Sequence, residues 1–533
     1  MIRRISVARR PLSLASVFAG LSPGIPKRPL WLVWASLWLA VPASGVWSQG
    51  SSALVPVSEL NRYGMTRMWF THAAVDSARG RVVQLKMHVS SKESLTAFEV
   101  VHDTVRYSYR ETDVDSMGRV LGSDRARKMA EVKLSDLRSR QIEATPIRRS
   151  IPKITLYSVS DSGTIHAIDA ETGRTYWKSS IGSPSYPTLG IDANDEYIAA
   201  INGSTVYVLK AANGEVAFER KTHGVPGAPP ALSPSLVFVP MVNGLMEAYS
   251  LTKPQGPPST FRSLGHAYIA PIFTGSYVAW PTDRGHLYVT GGEFNQINFR
   301  LEAKETIEAP ASFLPPDRIV VSSTDGFVYC LHQTSGVLQW RFSTGEPIVS
   351  SPAPFGDTVY VATIDGTLFA LNTIDGLERW VVGHVKQVLG ASQTRLYCLN
   401  DSNRLTILDV ASGAELGSLS TEQCDLSFLN LKTDRIVLGT SSGMLQCLRE
   451  VAQDVPLVHI PLVTQEPAAK PRARRKPATG DAEAPASGPA NPFESNPAPA
   501  AKPTADPFST DPAGAAPAPS DTPATPAENP FGE

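Results

Sequence analysis

The chain has 533 residues, and its 49 basic and 50 acidic side chains give a formal net charge of −1. A balance this close to zero gives no electrostatic reason to expect nucleic acid or anionic lipid as a partner. Prolines are concentrated near the C-terminal end, whereas glycines recur through the middle. This distribution predicts a repetitive folded core followed by a disordered tail.

Residues 1–48 have the order of a secretory signal. Six basic residues precede a short apolar run at residues 30–41, and small residues follow. The run is about a dozen residues, shorter than the roughly 20 that span a bilayer. We therefore expect cleavage after Ala43, Gly45 or Ser48, and the alternative is a signal that is retained as an anchor. Since no cysteine directly follows, we also expect no lipid anchor by this route.

Eight strand–turn–strand units occupy roughly residues 154–450. In each unit two β-favouring runs meet at a short turn that holds Gly or Asn, and successive turns are 37 to 41 residues apart. The alternation has a period of two and the turns need positive φ, which is typical of propeller blades and not of helical repeats. We predict an all-β, eight-bladed β-propeller of four-stranded antiparallel blades. The turn residues are Gly163, Gly203, Gly244, Gly285, Gly326, Gly366, Asn403 and Gly443.

A second pattern follows several hairpins: polar turn residues, then a glycine, then an aromatic residue. Polar side chains can satisfy the N–H groups of the turn, and the aromatic ring can pack between adjacent blades. We interpret both roles as structural. The copies are Asp169, Gly173 and Trp177; Gly336 and Trp340; Gly376 and Trp380; and, in weaker form, Gly214 with Phe218 and Gly413 with Leu419.

The repeated pattern YVATxDGxLxALxxxxGxxxW resembles the PQQ-like repeat family over roughly residues 154–450. The resemblance implies a propeller and one of two functions. Quinoprotein alcohol and glucose dehydrogenases of this family hold pyrroloquinoline quinone and calcium over the propeller axis. Other members are not enzymes, such as the lipoprotein subunit of the bacterial β-barrel assembly machinery in the outer membrane.

The last hairpin, around Gly443, has no outer strand of its own before the tail begins. An open blade would expose an unpaired strand edge. Because residues 63–69 resemble the Gly-to-Trp segment of the repeat, we predict that residues 66–75, including Trp69, complete the last blade. The alternative is a separate N-terminal strand pair packed elsewhere.

An insertion at about residues 95–152 interrupts the repeat. We expect a strand at residues 104–111 and a charged helix at residues 123–143. The apolar stripe of this helix consists of Met129, Val132 and Leu137. Since loops carry function more often than the scaffold does, the insertion is either a partner-binding element or a solvated helix.

The propeller is expected to occupy residues 56–464, and residues 465–533 are expected to be disordered. The tail has almost no aliphatic residues whose burial would offset chain entropy. Its late large apolar residues are Phe493, Phe508 and Phe531, each in a Pro-Phe unit. These units are candidate linear motifs for docking in a partner, and the alternative is compositional repetition without a partner.

The sequence contains no recognisable catalytic or metal-binding pattern. The repeat carboxylates occupy turn positions, the ten histidines are scattered singly, and there is no adjacent cysteine pair and no GxSxG motif. The cysteines are Cys330, Cys398, Cys424 and Cys447. They are interpreted as small buried hydrophobes, with a Cys398–Cys424 disulfide as the alternative.

We therefore expect an exported, non-catalytic scaffold that binds other bacterial envelope proteins, has no cofactor or metal, and does not bind nucleic acid. It is expected to be monomeric and peripheral to the membrane at most, in the periplasm or cell envelope. The alternative is a divergent quinoprotein oxidoreductase. The repeat residues with expected structural roles are Gly163, Asp169, Gly173, Trp177, Gly326, Trp340, Gly366 and Trp380.

Overall fold

The structure, a computed structural model, describes residues 53–75, 80–103, 105–291 and 296–459. All of them belong to the compact unit Ser51–Glu533. They form eight antiparallel sheets, of which seven have four strands and one has five. The predicted all-β, eight-bladed propeller is confirmed. The expected signal segment, residues 1–48, and the expected tail, residues 465–533, lie outside the described residues.

Each blade is given below from its first strand to its last. In chain order, α1 (Val57–Arg62) and β1 (Met65–His72) come first. Blade 1 consists of β2 (Val82–His102), β4 (Thr145–Ser160), β5 (Thr164–Asp169) and β6 (Thr175–Ser180), with β3 (Val105–Arg110) added beside β2. The helix α2 (Gly122–Ser139) lies between β3 and β4 in the chain. Blade 2 consists of β7 (Thr188–Ala193), β8 (Tyr197–Asn202), β9 (Thr205–Lys210) and β10 (Val216–Lys221).

The next three blades follow the same order. Blade 3 consists of β11 (Ala231–Leu232), β12 (Leu236–Pro240), β13 (Leu245–Ser250) and β14 (Ser259–Arg262). Blade 4 consists of β15 (Ile272–Phe273), β16 (Tyr277–Pro281), β17 (His286–Gly291) and β18 (Ile297–Glu302). Blade 5 consists of β19 (Ser312–Leu314), β20 (Arg318–Ser322), β21 (Phe327–His332) and β22 (Leu338–Ser343).

The last three blades bring the chain back to its first strand. Blade 6 consists of β23 (Ala353–Phe355), β24 (Thr358–Ala362), β25 (Leu368–Asn372) and β26 (Glu378–Val382). Blade 7 consists of β27 (Gln387–Ala391), β28 (Arg395–Leu399), β29 (Leu405–Asp409) and β30 (Glu415–Leu419). Blade 8 consists of β31 (Leu426–Ser427), β32 (Ile436–Gly439), β33 (Met444–Glu450) and β1.

The first strands of the blades line the ring axis. Neighbouring first strands contact each other between β2 and β7, β7 and β11, β11 and β15, β19 and β23, β23 and β27, and β31 and β2. Only the innermost strands of a ring can touch their equivalents on both sides. The hydrophobic core lies between blades: Val208 of blade 2 and Val237 of blade 3, for example, belong to one buried cluster.

Strand β1 closes the ring. It pairs antiparallel with β33 and places Trp69 opposite Cys447. The predicted closure by an N-terminal strand is therefore confirmed, and the alternative of a separate strand pair is wrong. The strand runs over Met65–His72, whereas residues 66–75 were predicted.

The insertion is a continuation of blade 1. Strands β2 and β4 pair within the blade, shift register between Val89 and Ser94, and then pair again up to Val101 opposite Thr145. Helix α2 contacts β2, β3 and β4 in this extension. Its buried residues are Ala126, Ala130, Leu134 and Leu137.

The predicted apolar stripe of α2 is not its packing face. Of the three stripe residues only Leu137 is buried, whereas Met129 is 45% exposed and Val132 is 63% exposed. The buried positions recur at intervals of four, four and three residues, which keeps them on one side of a helix. Two of them are alanines, and small side chains let the helix lie close to the sheet.

The eight predicted turns join the second and third strands of the eight blades. The turn residues have positive φ, for example 89° at Gly163, 76° at Gly326, 84° at Gly366 and 53° at Asn403. A Cβ atom at Gly163 would lie 2.3 Å from the carbonyl oxygen of Ile181. This turn therefore needs glycine for its backbone conformation and for space.

All four cysteines are buried with free thiols. Cys398 belongs to the cluster between blades 6 and 7, and Cys424 belongs to the next cluster. The Cys398–Cys424 disulfide that was left open from the sequence is not formed. Burial raises the pKa of the Cys330 thiol to about 11, as expected for a small buried side chain.

Candidate interaction face

One end of the ring carries most of the irregular structure. Consecutive strands of a blade run in opposite directions, so the connections from first to second strand and from third to fourth strand share one end. We call this end the insertion face. It holds the β2–β4 extension with α2, the β31–β32 loop at residues 428–435, and the β5–β6 turn with Glu171.

The repeat tryptophans join neighbouring blades. Each donates its indole N–H to a carbonyl oxygen of the next blade, and a Cβ on the following repeat glycine would lie within 2.4 to 2.7 Å of the indole ring. The indole donors and their acceptors are Trp69 to Ala170 (2.8 Å), Trp177 to Ala211 (2.9 Å), Trp340 to Thr373 (3.0 Å) and Trp380 to Val410 (3.0 Å). The matching glycines are Gly173, Gly214, Gly376 and Gly413.

Asp169 holds the turn that precedes β6. Its Oδ1 accepts the N–H groups of Glu171 at 2.8 Å and Thr172 at 3.2 Å, and its Oδ2 accepts the Tyr176 hydroxyl at 2.9 Å. Every acceptor role of this carboxylate is thus local. These contacts stabilise the turn between β5 and β6.

A buried charge cluster fixes the insertion to the ring. Arg435 is fully buried and makes two hydrogen bonds to Glu171, from Nε to Oε1 at 2.9 Å and from Nη2 to Oε2 at 3.1 Å. Arg110 of β3 donates from Nη1 to the same Glu171 at 2.8 Å. One carboxylate therefore joins blade 1, blade 8 and the insertion.

The remaining groups of Arg435 are also satisfied. Its Nη1 donates to Asp434 and to the carbonyl oxygen of Gln453, and its Nη2 donates to the carbonyl oxygen of Asp454. Burial raises the pKa of the Asp434 carboxyl to about 6, and the neighbouring Arg435 charge partly offsets that rise. A buried charge is tolerated only when it is paired and hydrogen-bonded in this way.

The β31–β32 loop crosses the inner ring. The Asn430 N–H donates to the carbonyl oxygen of Leu389 in β27 at 2.7 Å, and the Thr433 hydroxyl lies 3.3 Å from the sulfur of Met87 in β2. Leu429 and Leu431 pack on the cluster between blades 6 and 7. This loop of blade 8 therefore lies against the innermost strands of the two neighbouring blades, 1 and 7.

The segment that follows β33 covers the same place. The N–H of His459 donates to the carbonyl oxygen of Lys432 at 3.0 Å, and the His459 ring meets Phe355 of β23 edge-on, with 4.9 Å between centroids. Lys432 lies near enough to Lys86 and Asp192 for their charges to affect it, and these two residues form an ion pair of 2.8 Å between β2 and β7. Burial, with a smaller contribution from Lys86, lowers the pKa of Lys432. The loop and His459 therefore cover the inner strands of blades 1, 6 and 7 at this end of the ring.

Comparison with known proteins places this geometry in a family. A family model described as outer membrane protein assembly factor BamB matches residues 113–245 and 275–443, more than half of the chain. The chain belongs to the BamB family. The match covers the second half of the insertion and most of the eight blades.

Two curated relatives match less of the sequence than the family model does. Outer membrane protein assembly factor BamB of Burkholderia pseudomallei (strain K96243) is 30% identical over 95 residues, 18% of this chain and 24% of that protein. A tetrathionate hydrolase of Acidithiobacillus ferrooxidans is 27% identical over 116 residues, 18% of this chain and 23% of that protein. The chain thus spans about a quarter of the length of the curated relatives it matches.

Two solved structures resemble part of this chain. BamB from Moraxella catarrhalis has 14% identity and a TM-score of 0.46, covering 55% of this chain and 91% of that one. The computationally designed Ika8 protein has 17% identity and a TM-score of 0.46, covering 55% of this chain and 92% of that one.

Sequence reasoning missed the charge cluster and the β31–β32 loop. Glu171 and Arg435 are 264 positions apart, and no local pattern connects them. A signal for the loop existed, because residues 428–435 separate the first two strands of blade 8, whereas β7 and β8 are separated only by residues 194–196. Among the predicted sites, Phe493, Phe508 and Phe531 lie outside the described residues.

Two further properties of the described residues bear on the site. In that part of the chain no group of three or more His, Cys, Asp or Glu side chains is arranged to hold a metal ion. Within the same residues no helix combines the length and the apolarity needed to cross a membrane.

Proposed function

We propose that the chain is an exported, non-catalytic propeller scaffold that binds other proteins of the bacterial envelope during the assembly of outer-membrane proteins. The proposal is supported by membership of the BamB family over more than half of the chain. Two expectations from the sequence also support it: the predicted secretory signal at residues 1–48 and the lack of a recognisable catalytic pattern.

The observation that carries the proposal is the buried loop at residues 428–435, which covers inner strands of the ring. The resemblance to quinoproteins implies a cofactor over the propeller axis, and residues 428–435 pack against inner strands at the insertion face. Thr433 is fully buried and Asn430 is 2% exposed, and both are held by hydrogen bonds within the protein. A ligand over these inner strands would have to displace packed and hydrogen-bonded chain.

The alternative is a divergent quinoprotein oxidoreductase, and the match to a tetrathionate hydrolase favours catalysis in at least one relative. The two functions differ in ligand binding. Purified full-length chain mixed with pyrroloquinoline quinone and CaCl₂ is expected to leave the quinone unbound after gel filtration. An apo-quinoprotein dehydrogenase serves as the positive control. Co-elution of quinone in stoichiometric amount with the chain would establish the alternative.

The scaffold function is tested in the source organism. Depletion of the chain is expected to cause a several-fold fall in folded outer-membrane β-barrel proteins, measured by their heat-modifiable mobility in gels. Re-expression of the wild-type gene should restore them. Unchanged β-barrel levels after complete depletion would contradict an assembly role.

A further inference from the structure

The outer side of α2 forms an apolar groove on the insertion. The groove has a volume of about 640 Å³ and lies between α2, the end of β3 and the chain before the helix. Its apolar lining consists of Tyr109, Leu121, Met129 and Val132. Met129 and Val132 are exposed although the opposite side of the helix is well packed. Apolar side chains grouped in a concave surface are typical of a binding site for an aromatic or aliphatic anchor.

The rim of the groove is cationic. Arg125, Lys128 and Lys133 line it together with two carboxylates. Arg125 lies 3.4 Å from Asp115, and Lys133 lies 3.6 Å from Asp136. Lys128 is exposed and forms no ion pair within the described residues. The rim therefore has positive charge left for an acidic ligand.

The C-terminal segment of the same chain has the complementary chemistry. Residues 477–533 contain eight acidic residues and one basic residue. Their only large apolar side chains are three phenylalanines, each with a carboxylate within two positions. The pairs are Phe493 with Glu494, Phe508 with Asp506, and Phe531 with Glu533.

The described chain ends close enough for these segments to reach the groove. Asp454 accepts a hydrogen bond from Arg110, the residue next to Tyr109 of the groove. The described residues end at His459, 34 positions before Phe493. A coil of this length has a root-mean-square span of about 30 Å and can extend to roughly 110 Å.

We propose that the α2 groove binds the Pro-Phe segments of the chain's own C-terminal region, one at a time. The phenylalanine ring lies on Met129 and Val132, and the neighbouring carboxylate pairs with Lys128. Tethering raises the effective concentration of the segments to the millimolar range, so an intrinsically weak motif still occupies the groove. A foreign protein that docks on this face must then displace the chain's own segment.

Photo-crosslinking of the full-length chain tests this proposal. A p-benzoylphenylalanine placed at Val132 is expected to crosslink, in monomeric protein, to peptides that contain Phe493, Phe508 or Phe531. The matched control carries the same group at Arg138, which is exposed on α2 but does not line the groove. The control should give no crosslink to these peptides.

Two variants separate specific docking from chance contact. The triple variant Phe493→Ser, Phe508→Ser and Phe531→Ser should reduce the crosslink yield at Val132 at least about tenfold, as expected for loss of the apolar anchor. Lys128→Glu should reduce it severalfold, and 0.5 M salt should weaken the wild-type crosslink. Each altered residue is exposed or outside the described propeller, so folding is not at risk.

Three results would overturn the proposal: no crosslink to the C-terminal segment, crosslinks only in dimers, or a yield unaffected by the triple variant. Crosslinks only in dimers would assign the groove to contacts between copies. Since purified chain is used alone, these results do not depend on whether the chain assists outer-membrane assembly.

Discussion

The indole nitrogen of Trp69 donates a hydrogen bond of 2.8 Å to the carbonyl oxygen of Ala170, and thereby joins the outer strand of blade 8 to blade 1. The Trp69 ring also covers Gly173, where a Cβ would lie 2.7 Å from the indole. The two ends of the propeller thus meet through the same contact that joins Trp177 to blade 2.

Trp69→Ala should destabilise the fold by about 3–5 kcal/mol, because it removes a buried aromatic side chain at the ring closure. Urea unfolding followed by circular dichroism measures the change. Phe70→Ala is the matched control, since Phe70 is the next residue on β1 and is 62% exposed. Phe70→Ala should lower the free energy of unfolding by less than about 1 kcal/mol. Equal effects of the two variants would place the Trp69 contact outside the stabilising core.

Removal of residues 49–75 should lower the stability of the protein far more than removal of the tail does. The first deletion takes away β1 and leaves β33 as an unpaired edge, so we expect a large fall in the thermal midpoint and self-association. Truncation after Val463 should change the midpoint by no more than about 2 °C, the scale of a sub-kcal/mol effect. Differential scanning calorimetry and gel filtration measure both. A monomeric, fully cooperative protein without residues 49–75 would refute closure by β1.

Glu171→Gln should destabilise the fold by about 3–5 kcal/mol, because it leaves the buried Arg435 charge without its main partner. Arg379→Gln is the control: its ion pair with Asp357 is exposed and should contribute at most about 1 kcal/mol. A double-mutant cycle with Arg435→Met should show strong coupling. If Glu171→Gln lowers the free energy of unfolding no more than Arg379→Gln does, the cluster does not hold the insertion to the ring.

The stability of the protein should fall at mildly acidic pH because of His166. Burial, and secondarily the charge of Lys178, lowers the pKa of this histidine to about 4. The unfolded chain takes up the proton near its ordinary pKa of about 6.5, so stability is present above that value and is lost as the pH falls towards 4. The loss should be about 3 kcal/mol between pH 7.5 and pH 4.

Replacement of this histidine isolates its contribution. His166→Gln should show a shallower fall in urea-unfolding free energy over the same pH range, while the carboxylates common to both proteins contribute equally. Identical pH profiles for the two proteins would show that His166 is not held neutral in the folded state.

The blades were predictable from the sequence because each carries its own local signals. Gly163 and Gly366 mark turns that need positive φ, and the strands around them alternate with a period of two. Trp69 was recognisable because its surroundings copy the repeat. Its assignment to blade 8 followed from the missing outer strand.

The candidate site was less predictable because it depends on long-range contacts. The pairing of Glu171 with Arg435 links residues from opposite ends of the propeller sequence. The packing side of α2 was misjudged because Ala126 and Ala130 are small and carry little hydrophobic signal, whereas Met129 is apolar and yet exposed. Burial at these positions is decided by how close β2 and β3 lie to the helix.

The order of the strands also determines how long β1 waits for its partner during synthesis. Strand β1 begins at Met65 and its partner β33 begins at Met444, so 379 residues are made between them. At 5–20 residues per second this takes roughly 20–75 s. Throughout that time β1 has no partner from its own chain, and an uncovered strand pairs readily with other polypeptides. Among the described strands, β1 therefore waits longest for its pairing partner.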